Sequence, residues 1–172
     1  MIALATSRLT LRELTVADAP FIVELLNEPG FRRNIGDRGV RSLKDASEYI
    51  TEGPMASYTA HGFGLLRVDL KETGAPIGIC GLIKRPSLVD VDIGFALVER
   101  CWARGYGHDA AAAVMEHGRR ELGLRRVVAI VAPHNKGSIR ILEKLGLRFE
   151  RNMRIPGEAH DIDFMGWDAA AD

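Results

Sequence analysis

Trp102-Ala-Arg-Gly-Tyr-Gly-His-Asp-Ala110 joins a strand-like run ending at Val98 to a long amphipathic segment that starts at Gly107. Gly105 and Gly107 lack Cβ, so the backbone can take positive φ there and approach a ligand closely. The first N–H groups of a helix have no intrahelical partner, and the helix dipole puts partial positive charge at that end. A strand, a glycine turn and a helix start therefore suit a diphosphate, although they suit a plain β-to-α turn as well. Gly105 through Ala110 also spell G-x-G-x-x-A, the dinucleotide pattern, which expects an acidic residue about 20 positions on at the end of the next strand. Here several strands precede the turn, and the next apolar run ends at Ala132-Pro-His134 without Asp or Glu. An NAD reading fails on both counts.

Working outward, the spacing predicts a strand over 8–14, with Leu9 and Leu11 alternating, and an amphipathic helix over 18–27 ended by Pro29-Gly30. Residues 32–41 are polar and read as irregular. Ser42 with Asp45 three residues on forms a capping-box-like start to a second helix through Glu52, interrupted at Gly53-Pro54 and free to resume toward Ala60. Three strands are expected over 63–70, 77–84 and 89–98. Beyond the turn, 107–122 carries Ala111, Val114, Met115, Gly118 and Leu122 on one helical face. The unbroken apolar run 126–132 reads as a strand buried on both faces. A short helix over 136–145, closed by Gly146, and a hairpin of 147–154 with 161–167 complete the chain. The order β-α-α-β-β-β-α-β-α-β-β contains one βαβ crossover, which makes 89–98 and 126–132 parallel. The class is α/β with a mixed sheet, in one domain spanning 1–172.

Composition excludes several functions. The 172 residues carry 23 Lys+Arg against 23 Asp+Glu, which gives no basic footprint for nucleic acid or an anionic membrane. Cys80 and Cys101 show neither CxxC nor Cys/His ligand spacing, so no disulfide framework or zinc site is expected. No run approaches the roughly 20 apolar residues that span a bilayer, and the N-terminus lacks the basic start and long apolar stretch of a signal peptide. The expected location is the cytoplasm.

Four stretches resemble one family. Arg8-Leu-Thr-Leu-Arg12 resembles its opening strand, and Asp92-Ile-Gly-Phe95 its "EIGY" strand. Trp102-Ala-Arg-Gly-Tyr-Gly107 resembles the Q/R-x-x-G-x-G/A motif, and Asn135-Lys-Gly-Ser-Ile-Arg-Ile-Leu-Glu-Lys-Leu-Gly146 resembles "NxxSxxxxEKxGF". All belong to the GNAT acetyltransferase superfamily, in the branch similar to ribosomal-protein N-terminal acetyltransferases (RimJ/RimL-like). The resemblance spans nearly the whole chain in the right order. Trp102 replaces Gln/Arg, so no side-chain phosphate contact is expected there. Asp92 replaces Glu and is one methylene shorter, and Leu147 replaces Phe.

The resemblance implies a mostly antiparallel sheet with one splayed parallel strand pair and flanking helices. It implies acetyl-CoA in the cleft of that pair, with no metal. The pantetheine arm would meet the backbone of Phe95, Ala96, Leu97 and Val98, and the diphosphate the N–H groups of Arg104, Gly105, Tyr106, Gly107 and His108, with Asp109 next in line. Arg104 either reaches phosphate with its side chain or is a solvated surface arginine. Asn135 has two roles open to it, an N-cap and a contact to pantetheine. Ser138 shares a helical face with Ile141, Leu142 and Leu145. Its hydroxyl either bonds the preceding turn or, as the resemblance implies, protonates the departing thiolate. Asp90 and Asp92, beside Gly94 and Ala96, read either as the wall of a substrate channel, with Asp92 the candidate base, or as a pair of solvated strand carboxylates. His108, His134, Glu28, His160, Asp161 and Asp163 are weaker candidates.

The expected reaction is direct attack of a neutral amine on the thioester, because Cys101 has no partner of triad-like order and reads as a small buried residue. An α-amine with pKa near 8 costs about 1.4 kcal/mol to deprotonate at pH 7, and a lysine near 10.4 about 4.6 kcal/mol. This leans toward protein N-termini or small amines as acceptors. The competing reading is a non-catalytic acyl-CoA-binding module. The resemblance implies a monomer or a homodimer.

Overall fold

Leu9 and Leu11 are buried in strand β2 (Leu9–Glu13), which pairs antiparallel with a short leading strand β1 (Ala3–Ala5) and with β3 (Leu65–Leu70). In this computed structural model, which describes residues 1–158 and 161–171, the antiparallel run continues through β4 (Pro76–Ile83) to β5 (Asp92–Leu97). The glycine turn leads into a helix here labelled α5 (Tyr106–Arg120), and the chain returns as β6 (Arg126–Val131), parallel to β5. Helix α6 (Lys136–Lys144) and strands β7 (Arg148–Met153) and β8 (Ile162–Asp168) follow. The eight strands form one sheet in the order β1-β2-β3-β4-β5-β6-β8-β7. Among the described residues β5 and β6 are its single parallel pair, as a crossover through α5 requires.

Four helices fill the connection from β2 to β3: α1 (Ala19–Leu26), α2 (Pro29–Asn34), α3 (Leu43–Ile50) and α4 (Ala56–His61). Helix α1 does end before Pro29, but the same proline opens α2, where its missing N–H costs nothing. Part of the stretch expected to be irregular is therefore helical. The next helix does resume toward Ala60, but Gly53-Pro54 does not interrupt it. A π-turn over Thr51–Met55 absorbs Pro54 and carries α3 directly into α4. The Ser42–Asp45 capping box forms as the sequence indicates, with Asp45 N–H donating to Ser42 Oγ at 3.0 Å.

Asp18, at the start of α1, is 4% exposed and takes Arg12 Nη2 at 2.9 Å and Arg67 Nη1 at 2.8 Å. Burial pushes its carboxyl pKa up, but hydrogen bonds from Arg12 and the Thr15 N–H, with the Arg67 charge, outweigh burial and hold it lowered. This network ties the helical connection to β2 and β3. On the other flank α5 buries Ala110, Ala111, Val114 and Met115 against β4 and β5. Val114 and Met115 each contribute about 2 kcal/mol by burial.

Candidate functional site

The sheet opens between β5 and β6. They pair at Asp92 opposite Val128, whereas β5 stays paired with β4 from Ile83–Asp92 to Gly78–Leu97. Beyond that, Val98 N–H still donates to Ile77 O at 2.8 Å, so β5 follows β4 after leaving β6. Peptide groups alternate sides along a strand. Val91 O faces β6, where it accepts from Val128 N–H at 3.0 Å, so Phe95 and Leu97 also direct their peptide groups into the gap. Ala96 and Val98 direct theirs to β4. Of the four residues expected to meet pantetheine, two have that orientation. The Leu97 carbonyl is already engaged by Trp102 Nε1 at 2.9 Å, which accounts for the tryptophan at the motif's first position.

The glycine turn sits at the mouth of this gap. Ala103 (φ 59°) and Gly105 (φ 82°) both adopt left-handed backbone, and Gly105 is the N-cap of α5. The N–H groups of Tyr106, Gly107 and His108 in the first helical turn have no intrahelical acceptor. That of Asp109 does, bonding Gly105 O at 3.1 Å. A Cβ on Gly107 would come within 3.0 Å of Ile141 Cδ1 and 3.8 Å of Leu97 Cδ1, so glycine lets α5, α6 and β5 converge here.

A cavity of about 100 Å³ occupies the gap. Asp92, Ile93, Gly94 and Phe95 line it from β5, with Asn135 and Ser138 from α6. Asn135 Oδ1 accepts the Ser138 N–H at 3.3 Å, so the asparagine caps α6 while its amide N–H₂ stays available. The Ser138 hydroxyl is half-buried and makes no hydrogen bond within the described residues. It does not bond back to the preceding turn.

Asp92 has no exposed surface, and both its carboxylate oxygens lie 3.2 Å from Arg85 Nε. Burial pushes its pKa up to about 6, against the opposing pull of Arg85. The companion expected beside it is not there. Strand β5 begins at Asp92, and Asp90 lies in the preceding bend, bound to Arg126 Nε at 3.1 Å and outside the cavity.

The remaining candidates divide in the same way. His134 Nε2 lies 3.1 Å from Asn34 Oδ1, which lines the cavity. His108 is in the first turn of α5, and the Glu28 carboxylate accepts Glu99 N–H at 2.8 Å. Asp161 pairs with Arg154 and Asp163 with Asn152, both away from the cavity, and His160 lies outside the described residues. The final hairpin reaches the cavity through Glu158 and Ile162 instead. Cys101 is buried with a free thiol, as is Cys80. Sequence reading missed Arg85, Arg38 and Glu158, with Arg38 3.6 Å from Glu158. It also missed the side chain of Arg8, which grips the glycine turn. Each acts across a long sequence separation or from a loop, where local pattern carries no signal.

A family model described as an acetyltransferase (GNAT) domain matches residues 8–148, from the opening strand through α6 into β7. This chain belongs to the GNAT acetyltransferase family. The acetyltransferase is 29% identical over 153 residues to YoaA of Bacillus subtilis (strain 168), an uncharacterized N-acetyltransferase, covering 88% of this chain and 85% of the relative. Among solved structures, an acetyltransferase from Agrobacterium tumefaciens superposes with TM-score 0.82 at 28% identity, covering 97% of this chain and 94% of that one. RimL, a ribosomal α-N-protein acetyltransferase solved in complex with coenzyme A, shares the fold with TM-score 0.84 at 17% identity, covering 99% and 100%. Among the described residues no helix is long and apolar enough to cross a membrane, and no cluster of three or more His, Cys, Asp or Glu could hold a metal ion.

Proposed function

We propose that this acetyltransferase moves an acetyl group from acetyl-CoA to a primary amine, either a protein N-terminal α-amine or a small-molecule amine, by direct attack on the thioester. The observation that carries the reading is the open gap beside β5, with the peptide groups of Phe95 and Leu97 facing it and the glycine turn at its mouth. A polar amide chain ending in a diphosphate matches both features, because an unpaired strand edge satisfies the amides and a helix start the phosphates. RimL, with the same fold, is an α-N-protein acetyltransferase and was solved with coenzyme A, which supports the donor and one class of acceptor.

Acetyl-CoA, when bound, supplies an activated acetyl thioester. The chain's residues supply position and proton transfer. The N–H groups of Arg104 to His108 hold the diphosphate, with the Arg104 side chain beside them. Asn135 caps α6 and offers its amide N–H₂ to the pantetheine arm. Ser138 Oγ, uncommitted at the cavity wall, donates its proton to the departing sulfur. Asp92 takes the amine's proton through intervening water. Its burial makes it more basic than an ordinary carboxylate, which suits a base working near neutral pH.

Incubating the protein with acetyl-CoA and a panel of peptides and small amines, with thiol release and acceptor mass as readouts, tests the reading. The expected result is one thiol released per acetyl group gained by at least one amine. Tight CoA binding without thiol release on any amine would instead favour a non-catalytic acyl-CoA-binding module.

A further inference from the structure

We propose that Arg8, at the entrance to β2, is a positioning residue that holds the glycine turn in its diphosphate-binding shape; this rests on the reading that acetyl-CoA binds that turn. One guanidinium contacts three residues of the turn, Arg104, Tyr106 and Asp109, from about 100 positions away in sequence. Arg8 Nε and Nη2 lie 2.8 and 2.7 Å from Asp109 Oδ2, and Nη1 donates to Arg104 O at 2.9 Å. The Cζ sits 4.5 Å from the centre of the Tyr106 ring. A Cβ on Gly105 would stand 3.0 Å from Nη2.

These contacts do two things for an anion. A trans peptide points its C=O and its N–H in opposite directions. Fixing the Arg104 carbonyl toward Arg8 therefore turns the Gly105 N–H the other way. Asp109 lies in the first turn of α5, where its carboxylate would repel a diphosphate and compete for the helix's positive end. The paired guanidinium neutralises that charge and holds it aside. Lysine has no planar fork and cannot make all the contacts at once. The Arg8 side chain is 42% exposed, so the ion pair adds little to folding stability.

Calorimetric titration with CoA of wild type, Arg8→Ala, Arg8→Lys and the double variant Arg8→Ala/Asp109→Asn tests this, with melting temperature measured alongside. The expected result is about tenfold weaker CoA binding in Arg8→Ala at an unchanged melting temperature. Arg8→Lys should recover only part of the loss. The double variant should bind CoA more tightly than Arg8→Ala, because the uncompensated carboxylate is gone. Undiminished binding in Arg8→Ala, or no recovery in the double variant, overturns the role of Arg8. Failure of the wild type to bind CoA overturns the reading of the turn itself, and the inference with it.

Discussion

Replacing Asp92 by asparagine should stabilise the protein at neutral pH while impairing catalysis. Asp92 has no exposed surface, and burial raises its pKa from 3.8 to about 6. Between those values the unfolded chain has released the proton that the folded chain still holds. The folded state binds more protons there, so stability falls as pH rises through that window. A rise of about two pH units, at about 1.4 kcal/mol each, means the ionised carboxylate costs about 3 kcal/mol above pH 7. Asparagine nearly matches the shape without the charge. Any effect of leaving Arg85 without its anion is the same at every pH and drops out of the difference. In urea titrations at pH 4 and pH 7.5, the stability gap between Asp92→Asn and wild type should widen by about 2–3 kcal/mol in favour of asparagine, moving the relative midpoint by about 1 M. In turnover assays the rising limb of the wild-type pH–rate profile near 6 should vanish in the variant. A gap that stays constant with pH, or one that shifts in favour of aspartate, would refute the reasoning.

Asp18 should titrate with the opposite sign. Its lowered pKa means the stability it contributes is present above 3.8 and is lost as pH falls through the lowered value. Asp18→Ala should cost about 2 kcal/mol in a urea titration at pH 7, since Arg12 and Arg67 lose one of the two carboxylates they share and keep the other, Asp69. Asn135→Ala should lower the melting temperature by about 2–4 °C through loss of the cap worth about 1 kcal/mol. Asn135→Asp keeps the cap but loses the N–H₂ donor, so it should hold the melting temperature and weaken CoA binding in calorimetry. Ser138→Ala should leave the melting temperature unchanged, because the hydroxyl has no partner within the described residues. It should lower kcat by about tenfold or less, because a thiol with pKa near 8.5 needs little help to leave; a thousandfold loss would make the serine an obligate acid.

The sheet was legible wherever apolar spacing was regular over five or more residues, as at Leu9 and Leu11 or across Arg126–Val131. Strand β1 has three residues, too few for a period to appear. Helix α2 and the π-turn were hidden because proline and glycine signal a break, yet each allows a second outcome that neighbouring packing selects. The site followed the same division. Gly105 and Gly107 shape the turn, Asn135 caps α6 and Ser138 lines the cavity, each in a place that its motif marks. Asp92 was legible as a carboxylate beside small residues, but its complete burial against Arg85 was not, nor was the separation of Asp90 from it. Whether a strand starts at 89 or at 92 depends on which edge β4 and β6 offer, and that is a property of the sheet.

Residue-resolved amide exchange with and without CoA tests the central claim most directly. CoA should slow exchange at Phe95 and Leu97, whose peptide groups face the gap, and at Gly105 through His108 in the turn. Ala96 and Val98, already bonded toward β4, should change little by comparison. Protection confined to other surfaces, or equal along all four residues of β5, would contradict the account.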